Sequence, residues 1–206
     1  MKLFIKFCGF QSDQEVLEVR KLPVTHVGFI FVPSSRRYIE YGTAKRCVPL
    51  LSHDQSAVLV IQNKTVHEIG IILSDIPFSV VQLHGKESPI FCKQLKEKKN
   101  ILVWKALPYT EIHRWKDYAP YVDAILLDHT KAGSGKTFDW SIVETVYEQM
   151  REAHCLLIIA GGINATNVRT LLHHPLDGID VASGIETNEK KDEQKMKEFI
   201  EVIQHG

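Results

Sequence analysis

The side chains best placed to do chemistry in this chain are a thiol and a carboxylate, each at the end of an apolar run. "KLFIKFCGF" (2–10) breaks at Cys8-Gly9, and "VDAILLDH" (122–129) breaks after Asp128. A thiolate can accept a proton where cations or helix dipoles stabilise it. A partly buried carboxyl favours its protonated form and can give a proton to a leaving oxygen. Two such groups facing one substrate would form an acid–base pair. Each also has a plainer reading: Cys8 as a small core hydrophobe, Asp128 as a helix cap or loop-ordering carboxylate. Arg36 and Arg37 lie in "PSSRRY" (33–38), the loop after the second apolar run, and are available to favour the thiolate.

A second kind of chemistry is signalled by glycine. Gly161-Gly162 and Ser183-Gly184 each follow an apolar run. Glycines let backbone amides approach a phosphate closely, and a neighbouring helix N-terminus adds partial positive charge. The alternative is that they only turn the chain. Gly135-Lys136-Thr137 looks like the end of a nucleotide-binding P-loop, but position 130, where its first glycine belongs, is Thr. That loop also requires a strand leading directly into a helix, and here seven residues separate Asp128 from Lys136. The stretch is expected instead to be a Gly/Ser loop able to close over a ligand.

The elements that must position these groups alternate strictly. Short apolar runs fall at 3–7, 26–32, 57–61, 78–83, 101–107, 122–127, 155–160 and 178–182. Apolar on both faces and rich in β-branched residues, they suit buried parallel strands. Helical patterns lie between them. Ser12/Glu15 and Thr65/Glu68 have capping-box spacing. Ile142, Val143, Val146, Tyr147 and Met150 form a stripe after Asp139, Asn164 can cap a helix carrying Val168, Leu171 and Leu172, and Met196, Phe199, Ile200 and Ile203 mark the last helix. Weaker helices are expected near 43–51, 87–98 and 110–118. Strict alternation allows a doubly wound open sheet or a closed (β/α)8 barrel; eight units favour the α/β TIM barrel, as one compact domain over 1–206. An open sheet more often carries a Gly-x-Gly-x-x-Gly turn after its first strand, which Cys8-Gly9-Phe10 is not. In a barrel, every candidate above sits where active sites form, at the carboxyl ends of strands.

Composition narrows the partners. Twenty-five basic residues balance twenty-five acidic ones, so no net field draws the chain to nucleic acid or an anionic membrane. No long apolar run or signal-peptide pattern is present, and the ten histidines are scattered without metal-site spacing. Four cysteines far apart read as free thiols in a reducing cytoplasm. The expectation is a cytoplasmic protein acting on a small molecule without metal or cofactor. The oligomeric state is open between monomer and homodimer, with Phe31 and Val32 either supporting a dimer or covering the barrel.

"KFCGF", "GFIFVPSSRRYI", "VVQLHGKE", "ILLDHTKAGSGKTFDW", "IIAGGINATNV" and "GIDVASGIE", in this order over nearly the whole chain, resemble the phosphoribosylanthranilate isomerase family. The resemblance implies a (β/α)8 barrel and an Amadori rearrangement of phosphoribosylanthranilate in tryptophan biosynthesis. It implies Asp128 as general acid opening the furanose ring and Cys8 as general base at C2. It further implies that Arg37 meets the anthranilate carboxylate, that the Gly161-Gly162 and Ser183-Gly184 loops hold the phosphate, and that His84 and Asp180 lie near the site without an assigned step. Related barrel enzymes of the histidine and indole pathways would be expected to place Asp or Lys where Cys8 stands. A non-catalytic phosphate-binding barrel is the alternative of another class. Phe10, "NATN" and "TNEKKD" depart from the family pattern and leave the local loop shapes open.

Overall fold

The computed structural model describes residues 3–129 and 137–205, so most of the expected Gly/Ser closing loop lies outside the described residues. Eight parallel strands close into a barrel in chain order. They are β1 Phe4–Cys8, β2 His26–Ile30, β3 Ser56–Ile61, β4 Val80–Leu83, β5 Leu102–Pro108, β6 Ala124–Asp128, β7 Leu156–Ile159 and β8 Gly178–Val181. Closure is made by β1 against β8, where Lys6 aligns with Asp180 and Phe7 with Val181. The helices between them are α1 Asp13–Val19, α2 Tyr41–Cys47, α3 Val66–Asp75, α4 Pro89–Lys99, α5 Trp115–Tyr118, α6 Tyr147–Glu152, α7 Val168–Leu171 and α8 Glu193–His205.

The apolar runs are two-faced because they feed two cores. Phe7, Val27, Leu59, Val81, Val103, Ile125, Leu157 and Ile179 belong to the large cluster between strands and helices. Their sequence neighbours Cys8, Val58, Val60, Val80, Trp104, Ala106, Ala124, Leu126, Ile158 and Ala160 form a separate cluster. The period-2 alternation of a strand identifies this second cluster as the barrel interior. Its polar interruptions, Lys6, His26, Gln82, Asp128 and Asp180, are all buried.

Local signals act unevenly. Thr65 and Glu68 cap α3 reciprocally, a device worth about 1 kcal/mol. Ser12 caps α1 by accepting from the Glu15 amide, but the Glu15 carboxylate does not return. It accepts instead from the amides of Gln11 (2.7 Å) and Lys191 (3.2 Å), fastening α1 to the far end of the chain. Asn164 accepts from Thr166, while Asn167 is the residue that precedes α7, so that helix begins later than expected. The stripe after Asp139 is split between a 3₁₀ segment Trp140–Thr145 and α6. Phe31 and Val32 are buried, Phe31 lying edge-on to Phe78 and Tyr41, so they cover the barrel and offer no exposed apolar surface. A short antiparallel hairpin, β9 Glu186–Thr187 with β10 Lys190–Lys191, stands between β8 and α8 and was not anticipated. Its turn holds Asn188 (φ 49°) and Glu189 (φ 64°) in left-handed backbone with no glycine, in the departing "TNEKKD".

Candidate active site

The carboxyl ends of the strands enclose a cavity of about 260 Å³. Cys8, His84, Asp128, Asp180, Arg37, Gly161, Gly162 and Ser183 all line it, so eight of the nine singled-out residues converge. Gly184 stands behind the wall: a Cβ there would overlap the Ile163 carbonyl, so its bareness lets the β8 loop lie against the β7 loop. Gly161 (φ 87°) and Gly162 (φ 65°) turn the chain through conformations open to glycine. Among the described residues, neither of their amides has a backbone acceptor. The Gly162 carbonyl is fixed by the Asn164 and Asn167 amides at 3.3 and 3.0 Å, so "NATN" holds this loop with side chains.

Cys8 ends β1 and is buried (5 % exposed). Burial pushes its thiol above the ordinary value, and the charge of Lys6, two residues back on the same face, opposes that rise. Gly28 on β2 makes room for both, since a Cβ there would stand 2.6 Å from Cys8 Sγ and 3.0 Å from Lys6 Cε. Lys6 itself donates to Asp180 Oδ1 at 2.8 Å.

Asp128 ends β6, its Oδ1 accepting from the His129 amide at 2.7 Å. His84 Nε2 stands 3.6 Å from Asp128 Oδ2. The other ring nitrogen of His84 lies 3.0 Å from the amide nitrogen of Gln82, which thereby orients the ring. The Gln82 amide oxygen is buried without a partner among the described residues, and Gln82 lines the cavity.

The two arginines part company. Arg36 is exposed and pairs with Glu189 at 2.7 Å, so it does not serve Cys8 as expected. Arg37 is buried and grips Glu186 twice, Nε to Oε1 at 2.6 Å and Nη2 to Oε2 at 2.7 Å. Glu186 Oε1 also accepts from Lys191 at 2.6 Å, and Lys191 donates to the Cys8 carbonyl at 2.6 Å. Burial works to raise the Glu186 carboxyl, but the two cations outweigh it and hold it below its usual range. Burial depresses the Lys191 ammonium, with Glu186 opposing. Sequence reasoning left Lys6, Gln82, Glu186 and Lys191 without roles. For Lys6 and Gln82 a signal existed: each is a polar residue interrupting an apolar strand at an inward position.

Fold and site together define a (β/α)8 barrel with a pocket lined by ionisable groups at the carboxyl end of its strands. Residues 5–202 match the family described as N-(5'phosphoribosyl)anthranilate (PRA) isomerase. The chain belongs to that family. It is 36% identical over 208 residues to the N-(5'-phosphoribosyl)anthranilate isomerase of Brevibacillus brevis, covering 97% of this chain and 92% of the relative. The crystal structure of the Thermotoga maritima phosphoribosyl anthranilate isomerase superposes with a TM-score of 0.89 at 30% identity, over 100% of both chains. A phosphoribosyl anthranilate isomerase in complex with reduced 1-(o-carboxyphenylamino)-1-deoxyribulose 5-phosphate superposes with a TM-score of 0.86 at 30% identity, again over 100% of both. No helix among the described residues is long and apolar enough to cross a membrane.

Proposed function

We propose that the protein converts N-(5'-phosphoribosyl)anthranilate to 1-(2-carboxyphenylamino)-1-deoxyribulose 5-phosphate, in L-tryptophan biosynthesis, with Asp128 as acid and Cys8 as base. The observation that carries this reading is that both groups end inward-facing strand positions on the wall of one cavity. Family membership and the ligand held by the solved relative support it.

The chemistry balances on two side chains. Asp128 gives its proton to the furanose oxygen; the C1–O bond breaks and the nitrogen lone pair forms C1=N. The Cys8 thiolate takes the C2 proton, and the released pair forms the enolamine. A proton then joins C1 as the C2 hydroxyl loses its own, leaving the ketone. Acid and base are reset by exchange with water. No external electron acceptor is required, since the oxidation at C2 is matched by the reduction at C1. Holding the phosphate at the Gly161-Gly162 and Ser183 loops aligns C1 and C2 between the two groups. Arg37 keeps Nη1 for the anthranilate carboxylate while Nε and Nη2 are engaged by Glu186.

We place the protein in the cytoplasm, as one domain and as a monomer or homodimer, with no nucleic-acid or membrane partner. Its four free cysteines, all buried, suit a reducing compartment. The test is to feed the purified protein freshly generated substrate and follow loss of its fluorescence. Turnover lowered by about 10²–10⁴-fold in Cys8→Ala and Asp128→Asn is expected. Tight binding without turnover in the unaltered protein would make it a non-catalytic sugar-phosphate binder and end the reading.

A further inference from the structure

The reaction leaves unused a buried cation that shares the barrel interior with the base. Lys6 is 1 % exposed, inside the barrel; it donates to Asp180 and borders the same Gly28 gap as the Cys8 sulfur. A buried ammonium costs several kcal/mol unless paired, and an internal strand position filled by an aliphatic side chain would build the same barrel. Lys6 and Cys8 are two residues apart on β1, so both point inward. Asp180 is directly opposite Lys6 across the β1–β8 seam. Gly28 leaves the space that Cys8 Sγ and Lys6 Cε border together.

We infer that Lys6 is the counter-ion of the Cys8 thiolate, and that Asp180, by sharing Lys6, limits how much of that charge the sulfur receives. Lys6 is thus a positioning residue for the base. When sulfur takes the C2 proton it becomes a neutral thiol, and the ammonium keeps its partner in Asp180 at 2.8 Å, so Lys6 is left paired after the transfer. Other charged groups act on the sulfur too: Lys191 on β10, which donates to the Cys8 carbonyl, and Arg37, while His26 stands directly across from Lys6 on β2. Lys191 and Arg37 are both held by Glu186, whereas Lys6 is held by Asp180 and shares the inward face of β1 with the sulfur. Burial favours the Cys8 thiol and the Asp180 charge adds to that; Lys6 acts against both.

This inference rests on Cys8 being the base, yet it is read on the free protein. The experiment titrates the Cys8 thiolate by its ultraviolet absorbance and by the pH dependence of iodoacetamide alkylation, taking the Cys8→Ser protein as blank for the other thiols. Lys6→Met is expected to raise the Cys8 midpoint by a unit or more and to lower kcat at neutral pH at least tenfold. Asp180→Asn is expected to lower the midpoint and to move the acid limb of the kcat/KM profile to lower pH. Because Lys6→Met strands the Asp180 charge and risks the fold, the Lys6→Met/Asp180→Asn double variant, which buries no ion, repeats the titration. Its midpoint is expected above that of the unaltered protein and below that of Lys6→Met. A Cys8 midpoint unmoved in the folded double variant and in Asp180→Asn would overturn the inference. If the midpoints move as stated while the unaltered protein fails to turn over phosphoribosylanthranilate, the counter-ion stands and the proposed reaction falls.

Discussion

Arg37 and Glu186, 149 residues apart, share two parallel charge-assisted bonds of 2.6 and 2.7 Å at the cavity wall. Such a fork fixes the plane of the guanidinium as well as its place. Arg37→Ala is expected to raise KM tenfold or more with a smaller change in kcat. It should also cost about 3–5 kcal/mol of stability, as for one partner removed from a buried pair. Glu186→Gln should raise KM in the same direction, because the arginine loses its orientation while keeping its charge. Steady-state kinetics and urea unfolding check both; a Glu186→Gln KM equal to that of the unaltered protein would mean that Arg37 is not used for binding.

Gly9 holds φ 90°, and a Cβ there would lie 2.5 Å from Arg37 Cδ. Alanine at this position meets two penalties: about 1–2 kcal/mol for left-handed backbone and displacement of the arginine stem. Gly9→Ala should therefore lose stability and also weaken substrate binding, although residue 9 carries no functional group. Equal KM values with lowered stability would separate backbone strain from the arginine and refute the second half.

How far the sequence led depends on what each feature is made of. The strands were legible because a barrel strand is apolar towards both the interior and the helices, as Val58 and Leu59 are. Cys8 and Asp128 were legible because strand ends face the mouth in this architecture. Glu186 and Lys191 were not: their meeting with Arg37 and the Cys8 carbonyl depends on the β9–β10 hairpin. That hairpin lies in a polar stretch with no strand alternation, and its turn lacks the glycine that would announce it. Arg36 and Arg37, adjacent and chemically alike, were separable only by which side of the loop faced the barrel. Lys6 was readable in principle, as the one charge within "LFIKF".

Cys8→Ala and Asp128→Asn should each lower kcat by about 10²–10⁴-fold, the usual contribution of a positioned acid or base. Both should leave the barrel intact: Cys8→Ala trims one sulfur from the interior cluster, and Asp128→Asn preserves shape and the acceptor for the His129 amide. Circular dichroism and kcat measured on the same preparations check this. Near-normal turnover in either folded variant would remove that residue from the mechanism.

The barrel floor supplies a pH dependence of stability separate from catalysis. His26 is 7 % exposed, edge-on to Phe4 and tilted against Trp104, with Lys6 nearby. Burial first, and the Lys6 charge second, depress its imidazolium from 6.5 to about 4. Between those values the unfolded chain binds a proton that the folded protein refuses. Stability contributed by the neutral ring is therefore complete above pH 6.5 and is lost as the pH falls to about 4. A shift of this size corresponds to about 3 kcal/mol. Carboxylates also lose stability in acid, so the comparison must be differential: urea unfolding at pH 7 and pH 4 for the unaltered protein and for His26→Gln, whose side chain does not titrate. The unaltered protein should lose about 3 kcal/mol more over that interval. Parallel pH curves for the two proteins would show that His26 protonates equally in both states, and so that the barrel floor is open to water.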